Sequence, residues 1–191
     1  AIDIAAVWLG LIINPVIPIY RDRELAFILA DSRSRCLFIP GVYRGHNFPE
    51  MIDRLLPQLP NLDHVISVRQ GPSADSPSRY EDLIQPTGCS LPVKQPTDMK
   101  AVKVVMYTSG TTGRAKAVKH SHRSLARAID NGIDGWGLGA GDVMLMPSPV
   151  THITGFANGI ELPFLSDCKT AFMERWDVNK AAAYIEEVGA T

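Results

Sequence analysis

Cys36-Leu37-Phe38-Ile39-Pro40-Gly41, followed later by His64-Val65-Ile66-Ser67-Val68, frames the stretch that decides the fold class. Both are short apolar runs rich in β-branched and aromatic residues, and Pro40-Gly41 stops the first, so each reads as a buried strand. Residues 48–59 lie between them and place Met51, Ile52, Leu55 and Leu56 at helical spacing on one face. Upstream, residues 21–30 repeat that pattern with Leu25, Ile28 and Leu29. Residues 11–19 are apolar but broken by Pro15 and Pro18, which push the preceding residues out of the helical region, so that run reads as extended. The rhythm is β-α-β-α-β. It predicts an α/β fold with a parallel sheet covered by helices.

Outward from that core the pattern pauses and resumes. Gly71, Pro72, Ser73, Ser76, Pro77 and Ser78 cluster in residues 70–96, which reads as a loop with one short apolar turn over 80–84. Residues 102–108 are β-rich, and 115–120 fit a returning strand, giving a hairpin. Ser121 or Ser124 can cap a helix through Leu125, Ile129 and Ile133, broken by Gly135, Gly137, Gly139 and Gly141. Residues 143–146 and 171–173 read as strands, 151–165 as an apolar buried helix, and Asp177 as the cap of a last helix through Ala181, Tyr184, Ile185 and Val188. Residues 1–96 are therefore expected to form a first α/β portion, and 97–191 the hairpin with a second α/β portion.

Composition excludes several classes. The chain has 191 residues, 46% hydrophobic and 20% charged, with net charge -1. Without a basic block, and with Trp8, Trp136 and Trp176 scattered, nothing supports a nucleic-acid partner. Cys36, Cys89 and Cys168 form no CxxC pair, so neither a disulfide framework nor a zinc site is suggested; they read as buried small side chains in a reducing compartment. The apolar run after Ala5 follows Asp3 rather than a basic segment, and is shorter than the ~20 residues a membrane span needs. No transmembrane segment and a cytoplasmic location are expected. Both ends look cut, which suggests part of a longer protein whose unpaired sheet edges would favour non-physiological dimers.

The chemistry concentrates in Met106-Tyr107-Thr108-Ser109-Gly110-Thr111-Thr112-Gly113-Arg114-Ala115-Lys116. Gly110 and Gly113 let the backbone bend and bring N–H groups against a ligand. Thr108, Ser109, Thr111 and Thr112 offer hydroxyl donors to phosphate oxygens, and Lys116 adds a mobile positive charge. Ala115 stands where a P-loop needs glycine before its lysine, so the loop is not of the GxxxxGK[ST] type. Spacing alone leaves a polar hairpin tip equally open. His120 and His122 lack a third ligand at metal-binding spacing and read as a strand-to-helix junction; His46 and His64 have no evident partners.

The same residues resemble the signature YTSGTTG-x-PKGV of the adenylate-forming superfamily, which includes acyl-CoA synthetases, luciferases and peptide-synthetase adenylation domains. Residues Tyr107 to Val118 follow it except at Ala115, which replaces proline, and Ala117, which replaces glycine. Pro149-Val150-Thr151-His152-Ile153-Thr154-Gly155 resembles the family's P-x-x-H-x-x-G segment, with Thr151 where an aromatic is frequent. Asn14 to Leu25 resembles NPxxPxYxxxEL, and Arg175-Trp176-Asp177 resembles the segment that follows the histidine motif. The run Pro147-Ser148-Pro149-Val150-Thr151-His152 is most similar to medium-chain and cyclohexanecarboxylate ligases.

The resemblance implies layered, mostly parallel sheets flanked by helices, as part of the family's large N-terminal domain. It implies that Thr108, Ser109, Gly110, Thr111, Thr112, Gly113 and Lys116 hold ATP phosphates, and that His152 sits by the carboxylate in the acyl pocket. The implied reaction activates a carboxylic acid, fatty or alicyclic, as acyl-AMP and passes it to coenzyme A. Alternatives are a carrier-protein acceptor, water as acceptor, or a non-catalytic nucleotide-binding or interaction protein. The family's YGxTE motif, with its Mg2+-binding glutamate, is missing from the 191 residues, as are the ribose-binding aspartate and the C-terminal domain with the catalytic lysine. The expected ligands are ATP, Mg2+ held from outside this segment, and coenzyme A. The chain alone is expected to be inactive.

Overall fold

A computed structural model describes residues 1–69, 78–85, 88, 90, 92–93, 96–108 and 115–191. The chain divides into two compact units, one of residues 18–93 and one of residues 1–17 with 94–191. The first helix, α1 (Ile2–Trp8), belongs to the second of these.

The 18–93 unit follows the rhythm its sequence sets. Helix α2 (Asp22–Asp31) buries Leu25, Ile28 and Leu29, the residues at helical spacing. Strand β1 (Cys36–Pro40) is followed by a two-residue-strand hairpin, β2 (Val42–Tyr43) and β3 (His46–Asn47). Its turn residues Arg44 and Gly45 have φ of 50° and 73°, the double left-handed geometry that matches strand twist in tight hairpins. Asn47 then caps α3 (Phe48–Leu55), its side chain accepting from the Glu50 N–H at 3.3 Å. Pro57 stands in the 3-10 turn Leu56–Gln58 that ends the helical stretch. Met51, Ile52 and Leu55 are buried as their spacing predicts; Leu56, at 40% exposure, is not.

Strand β4 (His64–Val68) pairs with β1 in parallel, from Cys36↔His64 to Pro40↔Val68, and β5 (Ser78–Arg79) continues the parallel sheet on the far edge of β4. The short apolar turn expected over 80–84 is the one-turn helix α4 (Tyr80–Leu83). Residues 70–77 of the expected loop lie outside the described residues. Cys36 is exposed at the start of β1, against its expected burial; Cys168 is buried, and Cys89 lies outside the described residues.

The second unit is built on β6 (Val102–Thr108) and β7 (Lys116–Ser121), an antiparallel pair as the sequence predicts. The extended run expected at 11–19 joins here rather than the β1–β4 sheet. The Ile13 N–H donates to the Lys103 carbonyl at 2.9 Å, and Val105 N–H donates to the Ile13 carbonyl at 2.8 Å. Pro15 has no N–H to prolong that ladder, which stays a single bridge. Residues 1–17 thus cluster with the later part of the chain, whereas order along the sequence alone groups them with 18–96.

Helix α5 (His122–Trp136) starts at a capping box: Ser121 Oγ accepts from Ser124 N–H at 3.1 Å and Ser124 Oγ accepts from Ser121 N–H at 3.0 Å. It runs through Gly135 and ends at Gly137, whose φ of 68° is the left-handed cap geometry. Strands β8 (Val143–Met146) and β9 (Lys169–Phe172) pair in parallel, with a helical crossover between them. That crossover departs from expectation. The apolar run 151–165 predicts an ordinary helix, but Gly155–Glu161 winds as a π-helix, with Leu162 N–H reaching the Ala157 carbonyl at 2.9 Å, before α6 (Pro163–Ser166). Helix α7 (Val178–Val188) is capped by Asp177, as predicted, which accepts from the N–H groups of Asn179 and Lys180 at 3.1 and 3.2 Å. Val104, Met106, Leu125, Ile129, Phe156, Ala157, Leu162 and Cys168 form the core that joins hairpin, α5 and crossover.

Candidate functional site

The β6–β7 hairpin puts Thr108 and Lys116 opposite each other as the last paired residues before the loop. Burial of Val104 and Met106 pins β6 from below, while Thr108 and Lys116 are exposed. Thr108 Oγ1 donates a long hydrogen bond of 3.5 Å to the Lys116 carbonyl, closing the hairpin mouth. Ser109, Gly110, Thr111, Thr112 and Gly113 lie outside the described residues. Among the described residues no carboxylate pairs with Lys116, so its ammonium is available to an anion at the loop. Ala117 pairs with Tyr107 within the ladder, so the alanine in place of glycine is an ordinary strand residue.

The second motif is a tight turn after β8. His152 N–H donates to the Pro149 carbonyl at 2.9 Å, and Phe156 N–H donates to the His152 carbonyl at 2.9 Å. Gly155 is required by this turn: a Cβ there would stand 2.2 Å from the Pro149 carbonyl oxygen and 2.6 Å from that of Ser148. The P-x-x-H-x-x-G spacing is thus the spacing of one backbone packing event. Thr154 N–H donates to His152 Nδ1 at 3.3 Å, so Nδ1 is an acceptor and the neutral ring carries its proton on Nε2. That tautomer presents a donor to a carboxylate. His152 itself is exposed, and no hydrogen bond or ion pair joins it to Thr108 or Lys116 among the described residues.

A charged cluster inside this unit carries no motif. Lys103 on β6 donates to Glu161 at the end of the π-helix, their side chains 9% and 13% exposed. Burial, and then the Asp3 carboxylate of α1, push the Glu161 carboxyl up, while Lys103 opposes them. His122, in the first turn of α5, is held below the usual imidazole range by burial and by Lys103, against the pull of Asp98 and Asp3. The sequence does hold a signal for this cluster. Lys103 interrupts Val102-Lys103-Val104-Val105-Met106, and Glu161 is the one charged residue in 153–166, a run otherwise of apolar and small neutral side chains.

A cleft of about 340 Å³ lies elsewhere in the unit, lined by Trp136, Gly137, Leu138, Asp142, Met144 and Thr191; it contains none of the motif residues. Among the described residues no group of three or more His, Cys, Asp or Glu side chains is placed to hold a metal ion. No helix among them is long and apolar enough to cross a membrane.

A family model described as AMP-binding enzyme matches residues 1–191. The medium-chain fatty-acid–CoA ligase of Escherichia coli (strain K12) is 26% identical over 191 residues, covering 100% of this chain and 33% of that protein. The MbtA apo structure from Mycobacterium smegmatis superposes with a TM-score of 0.86 at 21% identity, covering 100% of this chain and 34% of that one. The N-terminal domain of FACL13 from Mycobacterium tuberculosis superposes with a TM-score of 0.79 at 24% identity, covering 98% and 44%. The chain thus spans about a third of the length of its curated relative, and the structural likenesses give the fold: layered α/β, as in the large domain of adenylate-forming enzymes.

Proposed function

The chain belongs to the AMP-binding enzyme family, and from that premise we propose that it supplies the phosphate grip and part of the acyl site of an ATP-dependent acid–thiol ligase. The observation that carries this reading is the hairpin mouth, where Thr108 and Lys116 face each other at the two feet of the Gly/Thr loop.

In this reading a carboxylate oxygen attacks the α-phosphorus of ATP, the bond to the bridging oxygen breaks, and pyrophosphate leaves. The thiol of coenzyme A then attacks the acyl carbon and AMP departs. Thr108, Ser109, Gly110, Thr111, Thr112, Gly113 and Lys116 hold the β- and γ-phosphates and stabilise the charge that develops on the leaving group. His152, protonated on Nε2, donates to the incoming carboxylate and orients it. Mg2+ would offset phosphate charge. Among the described residues no group of three or more His, Cys, Asp or Glu side chains is placed to hold it, and the family resemblance assigns its glutamate ligand to the YGxTE segment. The proposed acid is a fatty or alicyclic one, supported by the 26% identity to a medium-chain fatty-acid–CoA ligase, and the proposed role is in cytoplasmic fatty-acid metabolism.

The test is calorimetric titration of the 191-residue chain with MgATP and with pyrophosphate. Binding of both is expected. Failure to bind either would overturn the reading. ATP–pyrophosphate exchange by the chain alone is expected to be absent, because its sequence holds no YGxTE segment. Robust exchange would refute that part. The acid is then identified by exchange with octanoate, cyclohexanecarboxylate and malonate in an enzyme of the relatives' full length.

A further inference from the structure

The Lys103–Glu161 pair is expensive to keep. Two charges are taken out of water, and a second carboxylate, Asp3, stands against Glu161, so that neither Asp3 Oδ1 nor Glu161 Oε1 finds a donor while both are ionised. Buried ion pairs of this kind add little to stability compared with apolar side chains of similar size, and their best attested use is to fix one arrangement against its neighbours. What this pair fixes can be read from the elements it joins. Lys103 lies on β6, five residues before Thr108, so it sits on the strand that enters the phosphate loop. Glu161 is the last residue of the π-helix that begins three residues after His152.

The winding of that helix points the same way. π-turns close i→i+5 rather than i→i+4, and are found frequently at functional sites. Gly155–Glu161 is wound as π, and ordinary α-winding, with more rotation per residue, would bring Glu161 to a different bearing relative to Lys103. The start of the segment is seated by backbone contact, Gly155 on Pro149. Its middle is seated on the β8–β9 pair, where a Cβ on Gly159 would stand 2.9 Å from Met146 Cγ and from Phe172 Cε1. Its end is seated in the apolar core by Leu162, and Glu161 adds the charged contact to Lys103 beside it.

We propose that Lys103 and Glu161 are positioning residues, whose buried ion pair clamps the segment presenting His152 to the strand that delivers the phosphate loop. Asp3 of α1 and His122 of α5 lie in the electrostatic reach of the pair: Asp3 acts on Glu161 and on His122, and Lys103 acts on both Glu161 and His122. The clamp holds the acid-binding and phosphate-binding halves of the site in one frame. Its meaning for catalysis rests on the functional reading above; its existence does not.

The test compares the full 191-residue chain with Glu161→Gln, the apolar double variant Lys103→Met/Glu161→Met, and the charge swap Lys103→Glu/Glu161→Lys. The readout is residue-resolved hydrogen exchange at the His152 and Phe156 amides, with the His152 ring signals followed on adding MgATP. In the apolar double variant the melting temperature stays near that of the wild type, while both amides exchange about tenfold faster or more, a local opening without global loss. The ring signals then cease to respond to MgATP. The charge swap restores wild-type exchange, because it rebuilds the ion pair with its polarity reversed. A folded double variant with wild-type exchange at both amides overturns the proposal, as does a folded swap in which they stay fast. A wild-type chain that binds no MgATP counts against the functional reading alone, and the exchange rates still decide the clamp.

Discussion

Gly155 lies so close to Pro149 that a Cβ at residue 155 would stand 2.2 Å from the Pro149 carbonyl oxygen. The same carbonyl accepts the His152 N–H at 2.9 Å, so one oxygen sets both the turn and the bearing of the histidine. Gly155→Ala must therefore displace backbone rather than a pliant side-chain tip. A loss of about 3 kcal/mol is expected, the upper end of the usual overpacking range. Gly139→Ala, where a Cβ meets nothing within 4 Å, is the control and stays near wild type. Urea unfolding midpoints of the two variants check this, and equal midpoints would refute it.

Lys116→Ala separates binding from folding. The side chain is exposed at the end of β7 and forms no ion pair among the described residues, so stability changes by no more than about 0.5 kcal/mol. MgATP affinity, measured by titration calorimetry, falls about tenfold or more, since a charge-assisted contact to phosphate is lost. An unchanged affinity would remove Lys116 from the site.

The pH dependence of stability has a defined sign at His122. Burial first, and then the positive charge of Lys103, hold its folded pKa below the ordinary value of 6.5. The unfolded chain therefore binds the proton more tightly. The stabilisation is complete above pH 6.5 and is lost as the pH falls through the folded pKa. Position in the first turn of α5 acts in the same direction, because a helix N-terminus disfavours a cation. His122→Gln should flatten the decline in unfolding free energy between about pH 7 and pH 5. Parallel pH profiles for variant and wild type would show that His122 contributes nothing to it.

Asp177 offers a test of local structure. Its carboxylate accepts from two N–H groups at the start of α7, so Asp177→Ala leaves both orphaned and costs about 1 kcal/mol. Asp177→Asn, which keeps the acceptor, should recover most of that in a thermal melt.

Much of this molecule is legible in its residues because the deciding interactions are local or periodic. The parallel pairing of Cys36–Pro40 with His64–Val68 follows from two apolar runs separated by one helix. The hairpin around the loop follows from two β-rich runs and the glycines between them, and the caps at Ser121 and Asp177 from a hydroxyl and a carboxylate placed just before apolar periodicity. The motif residues of the loop and the His152 turn are legible for the same reason, since each motif spans only a few consecutive residues.

The rest depends on partners far apart in the chain. Residues 11–19 read as extended, but spacing cannot say that Ile13 bridges to Val104 across the whole 18–93 stretch of sequence. Apolar periodicity over 151–165 is as compatible with α as with π winding, and the choice is made by what Gly155, Gly159 and Glu161 meet on Pro149, Met146, Phe172 and Lys103. Lys103 and Glu161 each look misplaced in an apolar run until they are seen to face one another. The sequence by itself determined most of the elements, the phosphate-loop hairpin and the family, because propensity, capping and motif chemistry act over a few residues. Only the tertiary structure decided where the His152 segment is held and by what, because a buried charge acquires its role from the partner that packing brings to it.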